Sequence, residues 1–352
     1  MVTGPEHALD HVQDHVLGQG AFIFGCEGLG LTSLEADFFR DADPWGFILF
    51  ARNVDSPDQL RRLTHELRAA VGRDAPILID QEGGRVQRLR APHWREFLPP
   101  LDQVQIASDP LRAMWLRGRL LAADLHGVGI DVNCVPGLDV ACAQTHPFLM
   151  NRCFSDDAGV VAQMGRALVD GMAAGGVAPV MKHLPGHGRG AVDSHKGLPR
   201  VSASRAELAV DFAPFKALND LSMGMSAHIV MEAIDPDRPA TQSPAAIKVI
   251  REEIGFDGLL MTDDISMGAL AGTVLQRAQL ALVAGCDMVL HCNGDLAEMQ
   301  TLAALGPMGT AAQARADRAM STHPKHQPTH QPTHQPIDIS ALDAELQSLL
   351  NR

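Results

Sequence analysis

The chain has no tyrosine, and aromatic residues make up only 4% of it. That argues against a sugar- or base-binding surface built on stacked rings. A polar ligand has to be held mainly by charged groups. Cations are the minority: 29 lysines and arginines stand against 42 aspartates and glutamates, a formal charge of −13. Such a balance speaks against gripping nucleic acid through an overall positive field. No apolar run approaches the ~20 residues needed to span a bilayer. The N-terminus, MVTGPEHALDHVQDHVLGQG, lacks a basic stretch followed by an apolar core, so no signal peptide is expected. The six cysteines (Cys26, Cys134, Cys142, Cys153, Cys286, Cys292) form no CxxC pair, and most sit in apolar runs. They read as buried, reduced thiols. The expectation is a cytoplasmic protein with neither a nucleic-acid nor a membrane partner, and a monomer by default.

What is present is enough apolar residue, 46% of 352, to bury a large core. Eight short runs recur: 21–25, 46–50, 76–80, 129–133, 177–181, 223–228, 258–262 and 286–291. Most are apolar on both faces, which is how a strand buried in a parallel sheet reads. Helical patterns lie between them, as in 56–72, 156–176 and 243–255, the last with Ser243 as N-cap and Pro244 at the first helical position. Eight strands alternating with helices indicate an α/β fold of the (β/α)8 TIM-barrel class. A doubly wound open sheet fits less well, because no glycine-rich phosphate loop follows the first strand. The reading is one barrel domain over 1–320. A His/Gln/Pro/Thr-rich linker follows over 321–336, then an amphipathic helix over 337–352 with Ser340 as its cap.

A barrel carries its active site at the C-terminal ends of its strands. The residues there are Asp80-Gln81-Glu82, Asn133, Lys182-His183, His228, Asp263-Asp264 and Cys292-Asn293. Three segments concentrate the chemistry. IDQEGGRVQRLR (79–90) places Asp80, Arg85 and Arg88 around a Gly83-Gly84 turn. MKHLPGHGRGAVDSHKGLP (181–199) is a long glycine- and proline-rich loop holding Lys182, His183, His187, Asp193 and His195. Asp193 and His195 are two apart, so an extended segment puts them on one face, and an aspartate beside an imidazole makes a candidate acid/base. GLLMTDDISMGAL (258–270) ends a strand on Asp263 and Asp264. A carboxylate there can be a nucleophile, a base or a metal ligand.

Together DQEGGRVQR, the NRCF around Arg152, KHLPGHG, DSH, SAHIVMEAIDPDRPAT and DDISM resemble glycoside hydrolase family 3, in the manner of its bacterial β-N-acetylglucosaminidases. The match runs in consistent order from about residue 20 to about 300. The resemblance implies a (β/α)8 hydrolase that needs no metal and no cofactor. It implies Asp263 as nucleophile, His195 as acid/base paired with Asp193, and Asp80, Arg88, Arg152, Lys182 and His183 as the grip on N-acetylglucosamine. The implied partner is a small carbohydrate, an N-acetylglucosamine-terminated peptidoglycan fragment. Leu184 departs from the family's usual phenylalanine, and RGAV follows GHG. Three alternatives stand beside this reading: a phosphorylase on the same fold, a metal-dependent barrel hydrolase, and a barrel that binds muropeptides without cleaving them.

Overall fold

The structure is a computed structural model that describes residues 20–194, 197–323 and 338–350. Eight barrel strands run in chain order: β1 (Gly20–Phe24), β2 (Pro44–Leu49), β3 (Ile77–Ile79), β4 (Val132–Asn133), β5 in two pieces (Ala178–Pro179 and Met181–Leu184), β6 (Met223–Ser226), β7 (Leu259–Asp264) and β8 (Met288–His291). Every neighbouring pair is parallel, and β8 pairs with β1. The first piece of β5 pairs with β4 and the second with β6, so β5 closes the ring. The (β/α)8 barrel expected from the sequence is the fold, and the open sheet is not. A short parallel pair, Arg200–Val201 with Val230–Met231, lies outside it.

Each apolar run divides between two cores by its period of two. Ile23, Leu78, Val132, Val180, Met225, Met261 and Leu290 fill the barrel interior. Their chain neighbours Phe22, Ile77, Leu260 and Val289 face the surrounding helices. Helices α1 (Ser33–Ala42), α2 (Pro57–Val71), α3 (Pro110–His126), α4 (Ala158–Ala173), α5 (Arg205–Ala217), α6 (Pro244–Lys248), α7 (Val274–Ala284) and α8 (Leu296–Leu302) follow the strands. Their ends are set by local chemistry. Ser56 caps α2 ahead of Pro57, and Gly72 ends it in the left-handed region. Ser243 caps α6 ahead of Pro244, as the sequence indicates. Helix α9 (Thr310–Ser321) adds Ala316, Ala319 and Met320 to the barrel interior. No helix among the described residues is long and apolar enough to cross a membrane. All six cysteines are free, five of them buried.

The residues assigned to a linker from 321 onward include His323, which is buried and bonds through Nε2 to the Asp131 carbonyl at 2.8 Å. Residues 324–337 lie outside the described residues. Helix α10 (Ile339–Leu350) then lies against α3. Its cap is Asp338, not Ser340: the Asp338 carboxylate accepts from the Ala341 amide at 3.1 Å, and Ser340 is already inside the first turn. Arg112 holds Glu345 with two bonds of 2.7 and 2.8 Å, and Leu346 is buried at the contact. Packing, not the half-exposed ion pair, holds this helix. Leu346→Ala is expected to lower unfolding free energy by about 2 kcal/mol, and Arg112→Ala by less than about 1 kcal/mol. Urea denaturation of the two variants measures the difference.

Candidate active site

The C-terminal ends of the strands open into a cavity of about 230 Å³. Strand parity shapes it. Ile48, Met225 and Leu290, from β2, β6 and β8, give it an apolar floor. Asp80 is in phase with interior Leu78, Lys182 with Val180, and Asp263 with Met261, so β3, β5 and β7 send charged groups into the same space. This is the alternate-strand layering of a barrel core, with its uppermost layer polar.

The charges form one chain of alternating sign. Arg88 Nη2 lies 3.1 Å from Asp80, and Lys182 Nζ lies 2.7 Å from both Asp80 and Glu82. Arg152 grips Glu82 with two bonds of 2.8 and 2.7 Å. Burial alone would raise the Asp80 pKa, but Lys182 and then Arg88 bring it down to about 2. Burial opposes the ionisation of Glu82 as well, and Arg152 and Lys182 hold it well below the usual carboxylate range. Conversely, the two carboxylates overcome the burial of Lys182 and push its pKa up. Every member is charged because every member has a partner.

Asp263 and Asp264 separate by role. The Asp264 carboxylate accepts from Ser266 N at 3.1 Å, Ser266 Oγ at 2.6 Å and Cys292 N at 3.2 Å, so it caps the turn and ties β7 to the end of β8. The Asp263 carboxylate takes one amide bond, from Asp264 N at 2.8 Å, and lines the cavity. Burial works against its charge. His183 first, then His228, the Asp264 amide and Lys182 reverse that and hold its pKa below the usual carboxylate range. His228 fixes the same corner from behind, with Nε2 3.0 Å from the Asp264 carbonyl and Nδ1 2.9 Å from Thr241 Oγ1. An imidazole N–H must face that carbonyl, which assigns a proton to Nε2, and burial pulls the ring's pKa below the ordinary imidazole value.

His183 lines the cavity with its Nδ1 2.7 Å from the buried Asp139 carboxylate. That pairing assigns the proton to Nδ1 and leaves Nε2 for a ligand. The other Asp139 oxygen accepts from the His187 amide at 2.7 Å. Beyond it, the loop is pinned where Gly188 crosses the 139–146 segment. A Cβ at Gly188 would lie 1.9 Å from the Val140 carbonyl oxygen, and Thr145 Oγ1 donates to the Gly188 carbonyl at 2.5 Å. Farther along, Val192 and Ser194 line the cavity, and Asp193 between them is half-buried at its rim.

Asp80, Arg88, Arg152, Lys182, His183 and Asp263 are therefore brought into one cavity wall. Asp193 stands on the rim, and His195 lies outside the described residues.

Comparison with known proteins agrees with this geometry. The family model for the glycosyl hydrolase family 3 N-terminal domain matches residues 38–322. The chain belongs to glycosyl hydrolase family 3. A β-hexosaminidase of Alkalilimnicola ehrlichii is 40% identical over 283 residues, which is 78% of this chain and 81% of the relative. The crystal structure of native NagZ from Neisseria gonorrhoeae superposes with a TM-score of 0.83 at 31% identity, over 96% of this chain and 99% of that one. NagZ from the same organism in complex with N-trifluoroacetyl-D-glucosamine gives 0.82 at 32% identity, over 95% and 99%.

Of the residues that shape this family 3 site, Gln81, Glu82 and Asn133 are placed at strand ends by the sequence without a role, and Asp139 and Arg117 are not singled out by it. Glu82 is the hub for Arg152 and Lys182, and Asp139 orients His183. Gln81 and Asn133 face away from the cavity and template the turn that carries Arg88. Gln81 Oε1 accepts from Arg88 N at 2.7 Å and Leu89 N at 3.1 Å, and Asn133 pairs with the Gln81 main chain at 2.9 and 3.0 Å. Gly83 (φ 106°) lets this turn pass the fully buried Arg117, whose Nη2 would lie 2.0 Å from a Cβ there. Asn133 is one residue out of step with interior Val132 and Cys134, which turns it away from the cavity.

His187 also lines the cavity, and its two ring nitrogens have no hydrogen-bond partner among the described residues. Burial pushes its imidazole down to about 4, against the pull of Asp139. The unfolded chain titrates near ~6.5. Between those values only the unfolded chain takes up the proton, so stability present above about pH 6.5 is lost as pH falls towards 4. His187→Gln is expected to remove up to roughly 3 kcal/mol of that loss. Urea unfolding at pH 7 and pH 5 should show the stability gap between variant and wild type narrowing, or reversing, on the acid side.

Proposed function

We propose that the protein is a retaining exo-β-N-acetylglucosaminidase. It removes terminal N-acetylglucosamine from peptidoglycan fragments, N-acetylglucosaminyl-1,6-anhydro-N-acetylmuramic acid with or without peptide, during cell-wall recycling. The observation that carries this is Asp263: a half-buried carboxylate, held ionised, at the inner wall of a cavity whose deeper charged groups, Asp80, Arg88, Arg152 and Lys182, are already paired with one another or with Glu82. The cavity volume of about 230 Å³ is below the ~300–1,000 Å³ of sites for drug-sized ligands. That size suits one sugar unit and supports attack at a chain end.

In this reading Asp80, Arg88, Arg152, Lys182 and His183 bind the sugar hydroxyls, with Glu82 behind them tying Lys182 to Arg152. The lattice offers N–H donors and carboxylate acceptors side by side, as a ring of hydroxyls requires. Asp263 attacks the anomeric carbon while His195 protonates the departing oxygen, giving a covalent glycosyl-aspartate. His195 then takes a proton from water, which attacks the same carbon and releases the sugar with its configuration retained. Asp193 holds the His195 ring and favours its protonated form. The acid/base role rests on the DSH motif and on family membership, and the nucleophile role on Asp263's position as well. The binding of a glucosamine analogue by the Neisseria gonorrhoeae relative supports the sugar identity.

Asp263→Asn is expected to reduce turnover of an aryl N-acetylglucosaminide by at least about a thousandfold, with the circular-dichroism spectrum and Tm unchanged. Near-normal turnover by that variant would remove Asp263 as nucleophile. His195→Ala is expected to cost about a hundredfold or more on a disaccharide and far less on an aryl glycoside, whose leaving group needs little protonation. Equal losses would count against an acid role. The product in phosphate buffer is expected to be the free sugar; a sugar 1-phosphate would reassign the reaction to phosphorolysis.

A further inference from the structure

One cation at the cavity stands outside the charge lattice. Lys182, Arg88 and Arg152 each lie against Asp80 or Glu82. Arg85, on the same turn as Arg88, does not. Its guanidinium carbon sits 3.6 Å from the centre of the Phe148 ring, and Nη2 donates to the Phe148 carbonyl. Among the described residues no carboxylate lies within ion-pair distance of Arg85. Glu82 and Asp193 act on it only through space, while Arg152 and Arg88 repel it. Arg85 is exposed where Arg88 and Arg152 are half-buried, so it stands at the mouth. Phe148 and Val192, the latter 45% exposed, line the same cavity beside it.

A stacked guanidinium is pre-oriented: its plane is set by the ring, and most of its five N–H groups stay free to bond a planar oxyanion. An uncompensated cation fixed in this way has no evident structural task, since its contacts reach only the rim it stands on. In an otherwise acidic chain it marks a place for a negative charge just outside the sugar-sized interior.

We infer that the mouth of the cavity is a subsite for a carboxylate carried on the leaving group, bound by Arg85 above the Phe148 ring with Val192 as a further apolar flank. This rests on the hexosaminidase reading, in which the interior takes the sugar to be released and the mouth meets what is attached to it. The carboxylate can belong to the leaving sugar itself or to a peptide beyond it. Arg85 is a specificity residue in either case, because it favours acidic over neutral leaving groups and does not touch the reacting atoms.

The test compares kcat/KM on three substrates: N-acetylglucosaminyl-N-acetylmuramic acid, its lactyl methyl ester, and the same disaccharide with the lactyl carboxyl amide-linked to a peptide bearing free carboxylates. Arg85→Gln is expected to lose about tenfold on the acid and no more than about threefold on the ester. Arg85→Lys, which keeps the charge but loses the fork, is expected to fall between. Raising salt from about 0.05 to about 0.5 M should shrink the wild-type acid-to-ester ratio and leave that of Arg85→Gln flat. A selective loss on the peptide substrate alone places the carboxylate on the peptide and also supports the subsite. Equal losses on all three substrates, or no loss on any charged one, would overturn it. Wild-type protein that releases no N-acetylglucosamine from any of them overturns the hexosaminidase reading instead, and the subsite with it.

Discussion

The Lys182 ammonium, buried between Asp80 and Glu82 at 2.7 Å from each, sets the terms for everything around it. Taking an ammonium out of water costs several kcal/mol, and breaking such a pair by removing one partner typically costs 3–5 kcal/mol. The lattice is therefore complete or it is a liability. It runs Arg88–Asp80–Lys182–Glu82–Arg152, beginning and ending on a cation, and so carries an excess of positive charge. Asp263 shares the cavity wall with that excess. Lys182 is the lattice's part in a larger set, led by His183, that holds this carboxylate ionised against its burial, as an attacking group needs.

Around the lattice a second set of buried polar groups spends its hydrogen bonds on backbone. Gln81 holds the turn that carries Arg88, and Asp139 holds the His187 amide while orienting His183. Arg117 donates to the main chain of Glu82 and Leu98 and packs on Phe97. Each fixes a loop whose position would otherwise depend on a few main-chain bonds. A site built from long barrel loops keeps its geometry through such groups, because loops bring little packing of their own. The mouth is built differently. Arg85 is held by one ring and one carbonyl, which suits contacts to a variable group better than to the sugar that must be placed for reaction.

The order and class of the elements are local properties, and the sequence carries them. Apolar runs of four to six residues, N-caps such as Ser56 and Ser243, and proline at the first helical position are all read from neighbouring residues. They sufficed for eight strands, the helices between them and the barrel. The motifs likewise named Asp80, Arg88, Arg152, Lys182, His183 and Asp263, the six that meet in one wall. Which face of each strand is interior was a different matter. Both faces are apolar, so parity alone cannot say that Asp80, Lys182 and Asp263 point in while Asn133 points out. Only closure of the ring decides that.

The remaining features join residues far apart in the chain. Glu82 meets Arg152 across 70 positions, Asp139 meets His183 across 44, and Asp80 meets Lys182 across 102. The sequence offers the hydroxyl of Ser340 as a cap, yet the carboxylate two residues earlier accepts from the Ala341 amide. The chain by itself thus determined the barrel and the kinds of group at its mouth, because hydrophobic period and turn chemistry act between near neighbours. The tertiary structure alone decided which charges pair, which carboxylate stays available and which arginine is left over, because Coulomb interactions and hydrogen bonds depend on distances that only the closed barrel sets.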